Sequence, residues 1–212
     1  MSATDFPSDS SEFEYGHGPE RQSRRYQRLL PRITSMIRLD HTHVLTTFHR
    51  YHADLPPSRK AGLVGVICTA LEIHATLEEE IFYPAMRAVT ENEVIQKSVP
   101  EHMEMRRLIG ELRAMEPTDA RYDETVMALM RDVIHHVADE ETVLLPEAER
   151  LFSMERLQEL GAEMTRRRMK LVGPQAGQIA RDMARGMPMA TFAMGALAVL
   201  AVGCVLSVAR RG

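Results

Sequence analysis

The chain has 212 residues, 44% of them hydrophobic, with 26 basic against 30 acidic side chains and a net charge of -4. That is room for one domain with appendages and enough apolar material for a core, and the charge balance gives no reason to expect a nucleic-acid partner. Its two cysteines, Cys68 and Cys204, fall in separate segments. This excludes a disulfide framework and suits a reducing compartment.

Met1 to Glu20 are rich in Ser, Asp, Glu and Gly and contain no apolar run. Residues 1–28 are therefore expected to be a disordered tail and not a signal peptide. A first helix is expected over about Pro31–Tyr51, stopped by Pro56 and Pro57, with Ile33, Ile37, His41, Val44 and Phe48 three or four residues apart. His41 sits within that apolar stripe. A second helix, about Ser58–Ala88, repeats the rhythm at Leu63, Ile67, Ala70, His74, Leu77 and Ile81, with Glu78 at the border of the stripe.

The third helix is expected to begin at Ser98, because Ser98, Pro100 and Glu101 form a capping pattern with proline in the first turn. It presents His102, Met105, Ile109 and Leu112. In the fourth, Tyr122, Val126, Leu129, Val133, His136, Glu140 and Val143 alternate steps of four and three. His136 is thereby turned inward and His135 about 100° away. Residues 29–152 are expected to form the bundle, and residues 153–186 a fifth amphipathic helix and linker with a hinge at Val172–Gly177. Residues 187–209 carry no charge and are followed by Arg210 and Arg211. As a helix that segment is about 34 Å long, enough for a hydrocarbon core of about 30 Å, and a single transmembrane helix is expected.

The chemistry lies in a repeat. His74, Glu78 and Pro84 recur with the same spacing as His136, Glu140 and Pro146, and His41 and His102 precede the two copies by 33 and 34 residues. Positions i and i+4 share one face of a helix, so each copy offers an imidazole and a carboxylate to one point. A lone HxxxE is weak evidence. Four histidines on four core stripes, with two glutamates, would bury several uncompensated charges unless dications neutralise them. The candidate metal ligands are His41, His74, Glu78, His102, His136 and Glu140, and the competing reading is a buried Glu–His hydrogen-bonded network. Zinc sites want four ligands, often thiolates, whereas six N/O ligands in symmetric halves suit two irons, with manganese or zinc less favoured. His43, His49, His52 and His135 fall off the stripes, His17 lies in the tail, and Glu79, Glu80 and Glu141 are expected on the outer face or behind the ligands.

The pairs Asp40-His41 and Glu101-His102, His74 with Glu78 and Glu79 before Phe82, Tyr83 and Pro84, and His136 with Glu140 and Glu141 before Leu145 and Pro146 resemble the hemerythrin-like, HHE cation-binding family. The resemblance covers about residues 31–150. It implies an all-α, up-down-up-down four-helix bundle around a non-heme di-iron centre, with His41, His74, His102 and His136 as terminal ligands and Glu78 and Glu140 bridging. Where oxygen-carrying hemerythrins show HxxxH on the third helix, this chain has Arg106 four residues after His102, so one terminal ligand is missing and the site is expected to be open. The expected function is a membrane-tethered di-iron protein that binds or senses O2, NO, peroxide or iron. A di-iron oxidase or peroxidase, or a metal-stabilised interaction module, is the alternative. Thr191, Gly195, Gly203 and Ser207 share one face of the span and could pair two copies. Basic residues between Arg166 and Arg185 outnumber Arg210 and Arg211, which places the bundle in the cytoplasm.

Overall fold

The computed structural model describes residues 31–186, and all the regular structure among them is helical. In chain order the helices are α1 (Ile33–His49), α2 (Pro57–Leu77), α3 (Tyr83–Arg87), α4 (Glu93–Ala114), α5 (Tyr122–Asp139), α6 (Leu145–Leu151) and α7 (Met154–Gly186). Two π-helical turns, Glu78–Phe82 and Glu140–Leu144, join α2 to α3 and α5 to α6. The predicted tail (1–28), the predicted span (187–209) and Cys204 lie outside the described residues.

Contacts at one end of the bundle fix the directions of its helices. Tyr51, just after α1, and Lys60, in the first turn of α2, both donate to Asp123 in the first turn of α5, at 2.5 and 2.7 Å. Met115, just after α4, meets Thr125 there. Helices α1 and α4 therefore end where α2 and α5 begin, and the bundle runs up, down, up, down.

The core has two apolar layers. Val44, Phe48, Leu71, Met105, Val133 and Val137 belong to one; Ile37, Leu77, Phe82, Ile95, Leu144 and Leu145 belong to the other. Each candidate histidine stands where its helix passes between them: His41 between Ile37 and Val44, His74 between Leu71 and Leu77. A polar layer is thus sealed above and below by hydrocarbon.

Three sequence expectations need correction. Helix α4 starts at Glu93 and not at Ser98: Asn92 caps it by accepting the Val94 N–H at 2.8 Å, and the added turn buries Val94 and Ile95. Pro100 then falls inside the helix on its exposed side. The hinge at Val172–Gly177 is absent, and α7 runs through Pro174 without a break. That helix lies antiparallel along α2, where a Cβ on Gly62 would collide with the Gly186 backbone, and near its own start a Cβ on Gly161 would collide with the Pro31 carbonyl ahead of α1. Only glycines allow backbones so close. Val143, placed inward by a 3.6-residue period, is 43% exposed because the π turn shifts the register and sends Leu144 and Leu145 into the core.

By length and composition alone, the stretch Pro57–Arg87 could cross a membrane, yet two-thirds of its apolar window is buried in the protein. It is the central core helix. Cys68 lies in it, and burial pushes its thiol up to about 12.

Candidate metal centre

Both π turns begin at a candidate ligand. Pro84 and Pro146 have no N–H, so they cannot satisfy the carbonyls of Glu80 and Thr142 in α-helical fashion, and a regular helix is disfavoured just before them. The chain widens instead: the Tyr83 N–H bonds to the Glu78 carbonyl and the Leu145 N–H to the Glu140 carbonyl, each across five residues. Such single π turns are frequent at functional sites. Their consequence here is that residue 83 stands directly over Glu78 and residue 145 over Glu140.

The structure brings all six sequence-predicted ligands together. None of them is more than 5% exposed. Their donor atoms form two groups within 4.8 Å, one of His41, His74, Glu78 and Glu140 and the other of Glu78, His102 and His136, so that Glu78 is shared. His41 Nε2 lies 3.2 Å from Glu140, His74 Nε2 3.2 Å from Glu78, and His136 Nε2 3.7 Å from Glu140. The two rings of each half meet edge on, His41 with His74 at 4.9 Å and His102 with His136 at 4.7 Å between centroids.

Several of these atoms have no hydrogen-bond partner: Nε2 of His41, Nε2 of His74, Oε1 of Glu78 and Oε2 of Glu140. Buried polar atoms are nearly always satisfied, so four orphans converging on one point mark a place for something that accepts lone pairs. Imidazole nitrogens and carboxylate oxygens without thiolate fit a borderline or hard divalent cation. The residues present fit a metal pair.

The opposite edge of each imidazole is held by a carboxylate. Glu141 lies 2.9 Å from His41 Nδ1, Asp40 3.4 Å from His74 Nδ1, Glu79 2.9 Å from His102 Nδ1 and Glu101 2.9 Å from His136 Nδ1. Every one of these carboxylates is the chain neighbour of one ligand and the support of another. An Nδ1–H donated to a carboxylate fixes the tautomer and leaves Nε2 free to ligate. Three supports are themselves held by arginine: Glu141 by Arg38 at 3.2 Å, Glu79 by Arg106 at 2.8 and 3.0 Å, and Asp40 by Arg168 at 2.6 and 2.5 Å. Glu80 pairs with Arg167 at the surface.

Charge follows from these contacts. Burial raises Glu78, but His74, His102 and His136 outweigh it and hold its carboxyl well below the usual range. Burial likewise lowers His136, yet Glu101, Glu78 and Glu140 lift it to about 10, and His41 rises for the corresponding reason beside Glu140, Glu78 and Glu141. The metal-free centre balances its carboxylates with protons on imidazole. A metal would displace those protons.

Sequence periodicity did not place Tyr83 at the centre. Fully buried, it donates to Glu140 at 2.8 Å, with Glu78 at 3.3 Å and His102 Nε2 at 3.5 Å. Burial and the two glutamates raise its phenol well above its ordinary value, so it stays a donor. Arg106 is not among the grouped donors. It points to Glu79 and steadies His102, while Met105 lines the cavity of about 10 Å³ among the four imidazoles. His135 is 70% exposed, as the fourth-helix register predicts.

The family described as Hemerythrin HHE cation binding domain matches residues 32–168, well over half of the chain. The chain belongs to the hemerythrin HHE cation-binding family. A crystal structure of an HHE cation-binding domain protein from Mycobacterium kansasii superposes with a TM-score of 0.61 at 17% identity, covering 74% of this chain and 96% of that one. That likeness shows the hemerythrin-like fold. A protein of Nostoc sp. (strain PCC 7120) described as a DNA nickase is 28% identical over 146 residues, 69% of this chain. The match spans only 42% of that longer protein.

Proposed function

We propose that this HHE protein is a membrane-tethered non-heme di-iron protein that binds or senses O2, NO or peroxide. The observation that carries the reading is the pair of donor groups sharing Glu78, with orphaned Nε2 and carboxylate atoms turned to a common point. Six N/O ligands divided between two positions favour iron over zinc. Iron, when bound, supplies an electron-rich centre to which a diatomic ligand can attach. The protein's own residues keep the imidazoles in one tautomer, exclude water between two apolar layers, and hold a phenol proton at Tyr83. The uncharged run 187–209 supports the tether, the arginines between Arg166 and Arg185 support a cytoplasmic bundle, and the small residues of the span support a homodimer.

Tyr83 favours a second reading, a di-iron enzyme. Its hydroxyl, 2.8 Å from Glu140, is placed to deliver a proton inside a closed site. One experiment separates the two. The full chain is isolated without oxygen, its iron counted, and its optical spectrum followed with O2, NO and peroxide: two irons and a reversible adduct support binding, and sustained peroxide turnover supports the enzyme. Substoichiometric iron and a silent spectrum overturn both. Recovery of the full chain in the soluble fraction overturns the tether.

A further inference from the structure

Whatever the metals bind must cross a wall of helices, since all six ligands are buried. A cavity of about 300 Å³ between α2 and α7 approaches that wall from outside, its walls mostly apolar, with Val66, Ile73, Val172 and Ile179 among them, and with Thr69 and His43 as polar members. At its inner end stand Asp40, Arg168 and His74. Asp40 and His74 also line the small cavity among the imidazoles, so this pair is a wall common to both spaces.

We propose that the α2–α7 cavity is the entry path of a diatomic gas to the metal centre, with the Asp40–Arg168 pair as its inner gate. The inference rests on the metal-binding reading above and sharpens its ligand class. A mostly apolar lining favours a molecule with no hydrogen bonds to lose over peroxide, which must give up its bonds to water. The closure is weakest where the cavity ends. Of the four imidazole–carboxylate contacts, Asp40–His74 is the longest, 3.4 Å against 2.9 Å for the others. Asp40 is drawn away from the ring by two hydrogen bonds from Arg168, a residue of α7 outside the bundle. A small rotation of Asp40 toward Arg168 opens the wall by lengthening the already long contact to His74 Nδ1, while the His74 ring itself stays in place.

Two measurements test this on the full chain. With xenon as the probe and methyl-labelled protein, shifts are expected at Val66, Ile73, Val172 and Ile179, because xenon settles against the apolar walls of a cavity. Lack of any response there overturns the path, whether or not iron is bound. In the reduced iron-loaded protein, Ala70→Phe from one wall and Val172→Trp from the other should each slow NO binding about tenfold, equivalent to roughly 1.4 kcal/mol on the entry barrier. Leu39→Trp, on the exposed face of α1, should change nothing. Iron content and the resting spectrum should stay as in the parent. Unchanged NO rates in both filled variants overturn the path, and equal slowing of peroxide overturns the gas assignment. A parent that binds iron yet never responds to NO overturns the functional reading, while the xenon result still decides the cavity.

Discussion

The two hairpins of the bundle, α1 with α2 and α4 with α5, are copies in everything that touches the metal position and differ in what stands behind it. Each gives a histidine from its first helix and an HxxxE from its second, each widens into a π turn at the glutamate, and each supports one imidazole of its own and one of the other hairpin with a carboxylate. Behind this layer the copies part. Tyr83 stands over Glu78, whereas Leu145 stands over Glu140. Asp40 is clamped by Arg168 of α7, whereas the corresponding Glu101 has only the exposed His135 at 3.9 Å beside it. The repeat serves metal binding; its breaks are where a specific function can be written.

The largest effect should come from breaking what both halves share. Glu78→Ala removes the carboxylate common to both donor groups and strands buried imidazoles; bound iron should fall to near zero, with a loss of about 3–5 kcal/mol in stability. Metal analysis and thermal melting measure it, and full iron retention would mean the two groups are not one centre. Next come the supports. Asp40→Asn and Glu101→Gln should each weaken iron binding by about ten- to a hundredfold in chelator competition. Arg168→Gln should weaken it in the first half, and His135→Gln should do nothing in the second. Equal effects of the last two would erase the asymmetry.

A subtler comparison is chemical. Tyr83→Phe keeps the ring but removes the hydrogen bond to Glu140, so iron should stay while the spectrum and peroxide rate change, at a cost of about 1 kcal/mol. An unaltered spectrum would place the phenol outside the chemistry. A separate comparison concerns pH in the metal-free protein. His136 is raised from 6.5 to about 10, so its stabilising charge is fully present below 6.5 and is lost as pH rises through about 10. Stability of the chelated protein should decline over that window, and the decline should be smaller in His136→Ala, where only the raised His41 still contributes.

The ligands were legible because helices convert spacing into direction: His41, His74, His102 and His136 could be assigned inward from the apolar residues three and four positions away. Tyr83 was hidden by the same rule. A 3.6-residue period turns residue 83 away from Glu78, and only the wider π turn forced near Pro84 brings it back. The pairing of Asp40 with His74 and of Glu101 with His136 was equally out of reach, since it depends on how neighbouring helices face one another. The end of the fold at Val172–Gly177 was misread because glycine and proline there suggest a break, while packing against α2 keeps the helix intact.

That long helix has a mechanical meaning. Pressed backbone to backbone at Gly186 and again at Gly161, α7 has little freedom to bend away from its track and behaves as a stiff rod. Arg168 rides on it roughly 27 Å from Gly186, at about 1.5 Å for each residue. A tug or twist applied at Gly186 would reach Asp40 with little attenuation. The grip on the His74 imidazole is in this sense set by a lever whose handle is at Gly186.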